Sequence, residues 1–222
     1  MIRVARTAPV PSCLEAEKQK ANGDYKCDDV IARLKEDFKN KCYLCESKGI
    51  TCSNVDHFIP HRGDKGLKFD WHNLFLSCFH CNNIKGDTFD NILNCTNPTH
   101  DVENWIGYEM NPYPMEKVKI TALEDTDRVH NTVELLMQIY NGSTKQKIYE
   151  SDNLRDALLD ELLEFQKSLL KYYDEKTETT DKEEHLKNIK WRLKSASAFT
   201  AFKRWIVKSN TRFKEDFEKY FD

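Results

Sequence analysis

The 222-residue chain is short of the residues that interrupt structure, with 7 glycines and 6 prolines. That scarcity excludes a collagen-like or low-complexity protein and favours helices joined by few loops. No apolar run approaches the roughly 20 residues that a bilayer-spanning helix requires, so no membrane contact is expected. The first residues, Met1-Ile-Arg-Val-Ala-Arg, lack the apolar stretch of a secretory leader. A cytoplasmic, reducing location is the resulting expectation. In such a compartment the eight cysteines suit metal binding better than a disulfide framework. A surplus of positive charge is also missing, because the net charge is −3. A chain with that balance does not coat nucleic acid through bulk charge alone.

Hydrophobic residues make up 39% of the chain and include 12 Phe, 9 Tyr and 4 Trp, which is enough for a folded core. Charge is unevenly spread. Residues 152–184 hold eleven acidic and five basic residues, whereas 187–214 hold nine basic residues and no acidic one. The basic block reads as a solvated helical face, or as a surface for phosphates or an acidic partner.

Residues 1–23 are polar, carry Pro9 and Pro11, and read as an extended arm. A helix over roughly 29–40 has Val30, Ile31, Leu34 and Phe38 on one side, with Asp28 or Asp29 as its cap. Residues 50–60 read as a short β-hairpin arm, 61–73 as a loop and 74–76 as a strand. A helix is predicted to start near Cys81 and to stop at Gly86. Lys117–Leu123 reads as a strand. Beyond Asp125 two apolar stripes predict long helices. One runs from Leu154 to Tyr173 with Ser151 or Asp152 as its cap. The other runs continuously from Leu186 to Ile206. The expected organisation is an arm (1–27), a core (28–95), a connecting segment (96–127) and a helical C-terminal region (128–222), an α+β architecture.

The densest chemistry lies between Cys42 and Asp87. Cys42-x-x-Cys45 and Cys78-x-x-Cys81 are two knuckles whose four thiolates suit one structural zinc. The 32 residues between Cys45 and Cys78 exceed the roughly 15–20 of a plain zinc ribbon, so an element is inserted between them. Cys52 and His80 lie close enough to substitute for a ligand. Cys13, Cys27 and Cys95 stand alone and read as buried or incidental.

The insert carries Asp56-His57. Phosphodiester hydrolysis needs a base for water, a cation for the developing charge and a frame for both. His57 suits the base, since imidazole titrates near neutral pH. Asp56 offers a hard oxygen to magnesium, and the carboxamide of Asn82 offers a second. Neighbours on a strand face opposite ways, so the pair requires a bent or bulged strand end. Asn73 suits fixing the 61–73 loop against His57. Lys85 lies one helical turn beyond Asn82 and is expected to reach a phosphate.

Together, Cys42-x-x-Cys45, Val55-Asp-His-Phe-Ile-Pro60, Trp71-His-Asn-Leu74 and Cys78-x-x-Cys81-Asn82-x-x-Lys85 resemble the HNH endonuclease superfamily and its ββα-metal fold. The chain is most similar to the PtuB-type HNH proteins found beside an ATPase in Septu and retron antiphage systems. Asn131-Thr132-Val133 and Ser197-Ala-Phe-Thr-Ala-Phe202 look like that group's segments outside the core. The resemblance implies His57 as general base, Asp56 and Asn82 as ligands of the catalytic cation, and Asn73 as the residue that fixes the loop. Many members carry a second histidine where this chain has Asn82. The oxygen donor favours magnesium or manganese over a catalytic zinc. His61 and His80 rank below Asn82 as replacement ligands. The implied partners are DNA or RNA substrate, a PtuA-type ATPase and a retron reverse transcriptase with its RNA–DNA. The competing reading is a zinc-stabilised binding module without activity.

Overall fold

The computed structural model describes residues 1–49, 53–142 and 144–222. Among the described residues helices dominate, with two small antiparallel sheets. Helix α1 (Cys13–Gln19) precedes α2 (Asp28–Asp37). Strand β1 (Ser53–His57) pairs antiparallel with β2 (Leu74–Cys78), so that Asp56 faces Phe75 and His57 faces Leu74. Between the strands lie the short α3 (Lys65–Lys68) and a 3-10 turn at Trp71–Asn73. Helix α4 (Phe79–Lys85) leaves β2 directly and packs on both strands. This ββα unit, with a cysteine cluster at one end and a helical C-terminal part beyond it, is the fold class expected from the sequence. Among the described residues, no helix is long and apolar enough to cross a membrane.

Several local expectations change. The β-hairpin arm expected over 50–60 is narrower than that range. Among the described residues it is β1 over 53–57, which pairs with β2 across α3 and the 3-10 turn, and residues 50–52 lie outside those described. The 61–73 stretch has regular turns because Asp64 and Asp70 cap them, accepting from the Leu67 and His72 amides. The N-terminal segment is not a free extended arm. It contains α1, and Met1 and Ile2 are buried. Arg6 lies over the Trp71 ring at 4.0 Å and donates to Asp37 and to the Leu74 and Trp71 carbonyls. Both partners of the Arg6–Asp37 pair are almost fully buried. Arg6→Ala leaves the carboxylate without its cation and should cost about 3–5 kcal/mol. Urea unfolding monitored by tryptophan fluorescence checks this.

Strands β3 (Ile106–Met110) and β4 (Val118–Ala122) form the second sheet. Only β4 was predicted. Helix α5 (Asp127–Asn141) packs on β4. Helix α6 spans Lys145–Tyr173 and is capped by Thr144, ahead of the expected Ser151 or Asp152. The second apolar stripe divides into α7 (Thr179–Arg192) and α8 (Thr200–Lys208). Phe199 adopts a left-handed conformation (φ 47°) at the break, and its side chain remains buried. Helix α9 (Thr211–Phe217) follows.

One buried cluster extends from Met1 and Leu14 through β1, β2 and α5 to Phe202, and a smaller one joins Phe165, Ile189, Val207 and Phe217. Part of the basic block serves this packing. Arg192 and Lys203 pair with Glu161, and Arg204 pairs with Glu103 and Asp222. Burial lowers Lys203 to about 8, against the pull of Glu161. Arg192 and Lys203 join helices to one another, Arg204 ties α8 to the turn at Glu103 and to Asp222, and none of the three forms a phosphate surface.

Candidate active site and metal centre

The first knuckle is a tight turn in which the Cys42 amide donates to the Ser47 carbonyl and the Glu46 amide to the Cys42 carbonyl. The Tyr43 amide donates to the Leu76 carbonyl, fastening this turn to β2. Cys78 ends β2 and Cys81 lies in the first turn of α4, where its amide approaches the Cys78 sulfur at 3.4 Å. The four sulfurs lie within 4.8 Å of one another, and Cys45 Sγ is 3.9 Å from Cys78 Sγ. Zinc bound tetrahedrally at about 2.3 Å sets its sulfurs about 3.8 Å apart. Burial pushes the Cys81 thiol well up, and hydrogen bonding with Cys42 pushes Cys45 up. Cys78 is pulled down by hydrogen bonds from Cys42, Cys45 and Cys81. Four thiolates this close require a cation, and the donor set fits structural zinc. Tyr140 and His80 tie both knuckles to the helical part. The Tyr140 hydroxyl donates to the Cys45 carbonyl, while His80 meets Glu150 and the Ile139 carbonyl. With both ring nitrogens engaged, His80 is no substitute ligand. Cys52 lies outside the described residues.

Asp56 and His57 end β1, and the strand pairing stays regular as far as His57. Of the two expected forms, bent or bulged, the chain takes the bend, at Phe58 and Ile59 just past the strand. The cleft lies across the strand end, so both residues still line it. Its volume is about 380 Å³, and Tyr25, His61, Arg62 and Asn82 also line it. His57 Nε2 sits 3.0 Å from the Lys68 carbonyl oxygen. A carbonyl only accepts, so Nε2 carries the proton and Nδ1 is left as the acceptor. Burial holds His57 below the ordinary histidine value, partly opposed by the Lys68 carbonyl. The neutral ring is thus the form favoured at pH 7. Tyr25 and His61 flank it edge-on at 4.5 and 4.6 Å.

Asn73 is committed to the backbone. Its Oδ1 accepts from the Ile59 amide at 2.7 Å, and its Nδ2 donates to the Ile59 and Leu67 carbonyls. Those bonds close the loop that carries α3 and the Lys68 carbonyl. Asn82 is the fourth residue of α4, which starts at Phe79 and not at Cys81. It is half-buried at the cleft, and its carboxamide has no hydrogen bond to the described residues.

Asp56 is nearly buried, at 5% exposure. Its Oδ2 accepts from the Tyr43 hydroxyl at 2.7 Å, and its Oδ1 faces the Lys85 ammonium at 3.4 Å. Burial raises its pKa, and Lys85 opposes that rise. A carboxylate has further lone pairs beyond these two contacts, so Asp56 can still offer an oxygen to a cation. Lys85 itself is placed differently from the expectation. It is fully buried, and its Nζ donates to the His57 carbonyl at 2.8 Å. It sits on the face of α4 that packs against β1, so it cannot meet a phosphate. It balances the Asp56 charge and holds the end of the strand.

Sequence reasoning missed Arg62 and Tyr25 at the cleft. The Arg62 side chain is 64% exposed and reaches the Asp87 carbonyl and Asp90. Arg62 was within reach of the motif, only two residues beyond Pro60. Tyr25 comes from the segment between α1 and α2, far from any motif. The family model for HNH endonucleases matches residues 42–88 of the chain, the span that carries both knuckles and the cleft residues of β1 and α4. That domain is of nuclease type and implies nucleic-acid binding. No curated protein matches the chain.

Proposed function

We propose that the chain hydrolyses phosphodiester bonds of DNA or RNA, with His57 as the general base. The observation that carries this reading is the His57 ring. Its Nε2 is tied to the Lys68 carbonyl, and its other nitrogen is an acceptor at a cleft that Asp56 and Asn82 also line. Water attacks phosphorus, its proton passes to Nδ1, and the bond from phosphorus to the leaving oxygen breaks. Asn73 holds the Leu67 carbonyl, next to the Lys68 carbonyl that accepts from Nε2. Asp56 and Asn82 would hold a magnesium or manganese ion, which when bound supplies charge neutralisation at the phosphate and the leaving oxygen. Arg62, exposed and bidentate by nature, takes the phosphate contact first expected of Lys85.

We extend the proposal to a biological role as the effector of an antiphage system working with an ATPase. The resemblance of Asn131–Val133 and Ser197–Phe202 to the PtuB-type proteins supports that role. The test of the chemistry is cleavage of plasmid DNA and total RNA by purified protein, alone and with the ATPase. Products should form with magnesium or manganese and vanish with the metal-free buffer. Asn82→Ala should lower the rate about 10–100-fold and raise the magnesium needed for half-maximal rate. If Asn82→Ala leaves both unchanged, the carboxamide is not a ligand.

A further inference from the structure

The sequence leaves Cys13, Cys27 and Tyr25 without a role, and the structure brings all three into one element. Cys13 and Cys27 form a disulfide, with Cα atoms 6.6 Å apart and a sequence separation of 14. This corrects the expectation that they stand alone. The bond joins the first residue of α1 to the residue just before α2. Both cysteines are part-exposed, so a small thiol can reach them. The loop closed by the bond includes Gly23 and Tyr25. The Gly23 carbonyl accepts from the Lys68 ammonium at 2.9 Å, and the Tyr25 ring lies edge-on to His57. Lys68 therefore meets this loop through its side chain and His57 through its carbonyl.

We infer that Tyr25 is a positioning residue for His57 and that the Cys13–Cys27 bond holds it in place, so that the cleft is redox-controlled. The inference rests on the reading of His57 as the base. Tyr25 and His61 enclose the imidazole on two sides, and the Lys68 carbonyl fixes its Nε2. If the Tyr25 loop moves away, one wall is lost and Lys68 loses an anchor. A misplaced base slows proton transfer even when substrate still binds. The two thiols form the bond by exchange with a low-molecular-weight disulfide. That disulfide accepts two electrons and leaves as two thiols, while the cysteines lose two protons and two electrons. Reduction by a dithiol reverses the step. The pair is separate from the zinc cysteines, and Cys95 is buried.

The test compares the parent, the Cys13→Ser/Cys27→Ser double variant, Tyr25→Ala and Tyr25→Phe, with zinc content measured in each. Alkylation and mass spectrometry of oxidised parent should find Cys13 and Cys27 protected. Two free thiols there would overturn the inference. The double variant and Tyr25→Ala should each lose about tenfold or more in kcat, with KM within about twofold. Tyr25→Phe keeps the ring edge and should restore the rate. Tyr25→Ala should no longer respond to reduction, whereas a role confined to folding would leave the two losses additive. A double variant as fast as oxidised parent overturns the inference. So does Tyr25→Ala that retains full kcat.

The histidine side-chain spectrum by nitrogen-15 NMR supplies a readout independent of turnover. In the double variant the His57 and His61 signals should shift or broaden, and those of the exposed His130 should not. Unchanged His57 signals overturn the inference. A parent that shows the NMR response but cuts nothing under any metal or with the ATPase instead overturns the nuclease reading.

Discussion

His57→Ala should cut cleavage by about 10²–10⁴-fold while zinc content stays near one per chain. The expectation follows from where the ring is held. Removing the imidazole takes away the acceptor at Nδ1 but leaves Asn73, Lys85 and the four cysteines untouched. The Lys68 carbonyl loses one donor, and it lies close enough to the cleft for water to replace that donor. Stability should therefore fall by about 1–3 kcal/mol or less, with no collapse of the fold. His57→Gln sharpens the test. A glutamine can donate to the Lys68 carbonyl, yet it accepts a proton poorly, so it should fold like the parent and remain inactive. Full-rate cleavage by His57→Ala would remove the base assignment. Retained binding of nucleic acid by an inactive parent would favour the module without activity.

What could be read from the chain varied with the range of the interaction. The two Cys-x-x-Cys turns, Asp56-His57 and Asn82 are local patterns with fixed chemistry, and the fold brings the four sulfurs to one point and the other three to one cleft. The Asn73 amide satisfies backbone groups that the loop would otherwise leave unpaired, a local demand visible in the sequence. Lys85 shows where local reading ends. Its spacing from Asn82 was right for one helical turn, but helical phase alone does not say which face packs on β1. Burial of the ammonium is tolerated only because Asp56 and the His57 carbonyl meet it. Tyr25 and the Cys13–Cys27 bond depend on contacts between segments distant in sequence, and no periodicity reports them. The long stripe from Leu186 to Ile206 kept its apolar spacing across the break at Phe199. Periodicity records which residues are buried, not whether the backbone is continuous between them.

Cys78→Ser should empty the zinc site and unfold the nuclease core. Serine offers no thiolate, so three sulfurs remain of the four that lie within 4.8 Å. Structural zinc contributes roughly 10–16 kcal/mol in small domains. Whole domains are stable by only about 5–15 kcal/mol, so the loss can exceed what the remaining packing supplies. The substitution isolates the metal effect because Cys78 also occupies the N-cap of α4. Serine is a good residue for that position, so the helix start is not what fails. The damage should spread beyond the knuckles. The Tyr140 hydroxyl holds the Cys45 carbonyl, and the Ala201 amide and the Lys41 ammonium meet Glu46 one residue later. Burial opposes ionisation of Glu46, yet Lys41 and the N-terminal amine hold it at about 2. A charge network this buried has no means of adjusting to a displaced turn. Zinc content should fall toward zero, and limited proteolysis should cut first within residues 28–95. Chelation of the parent protein should reproduce that pattern, and zinc should reverse it. A Cys78→Ser protein that keeps its zinc and resists protease like the parent would show that the sulfur cluster does not hold the fold.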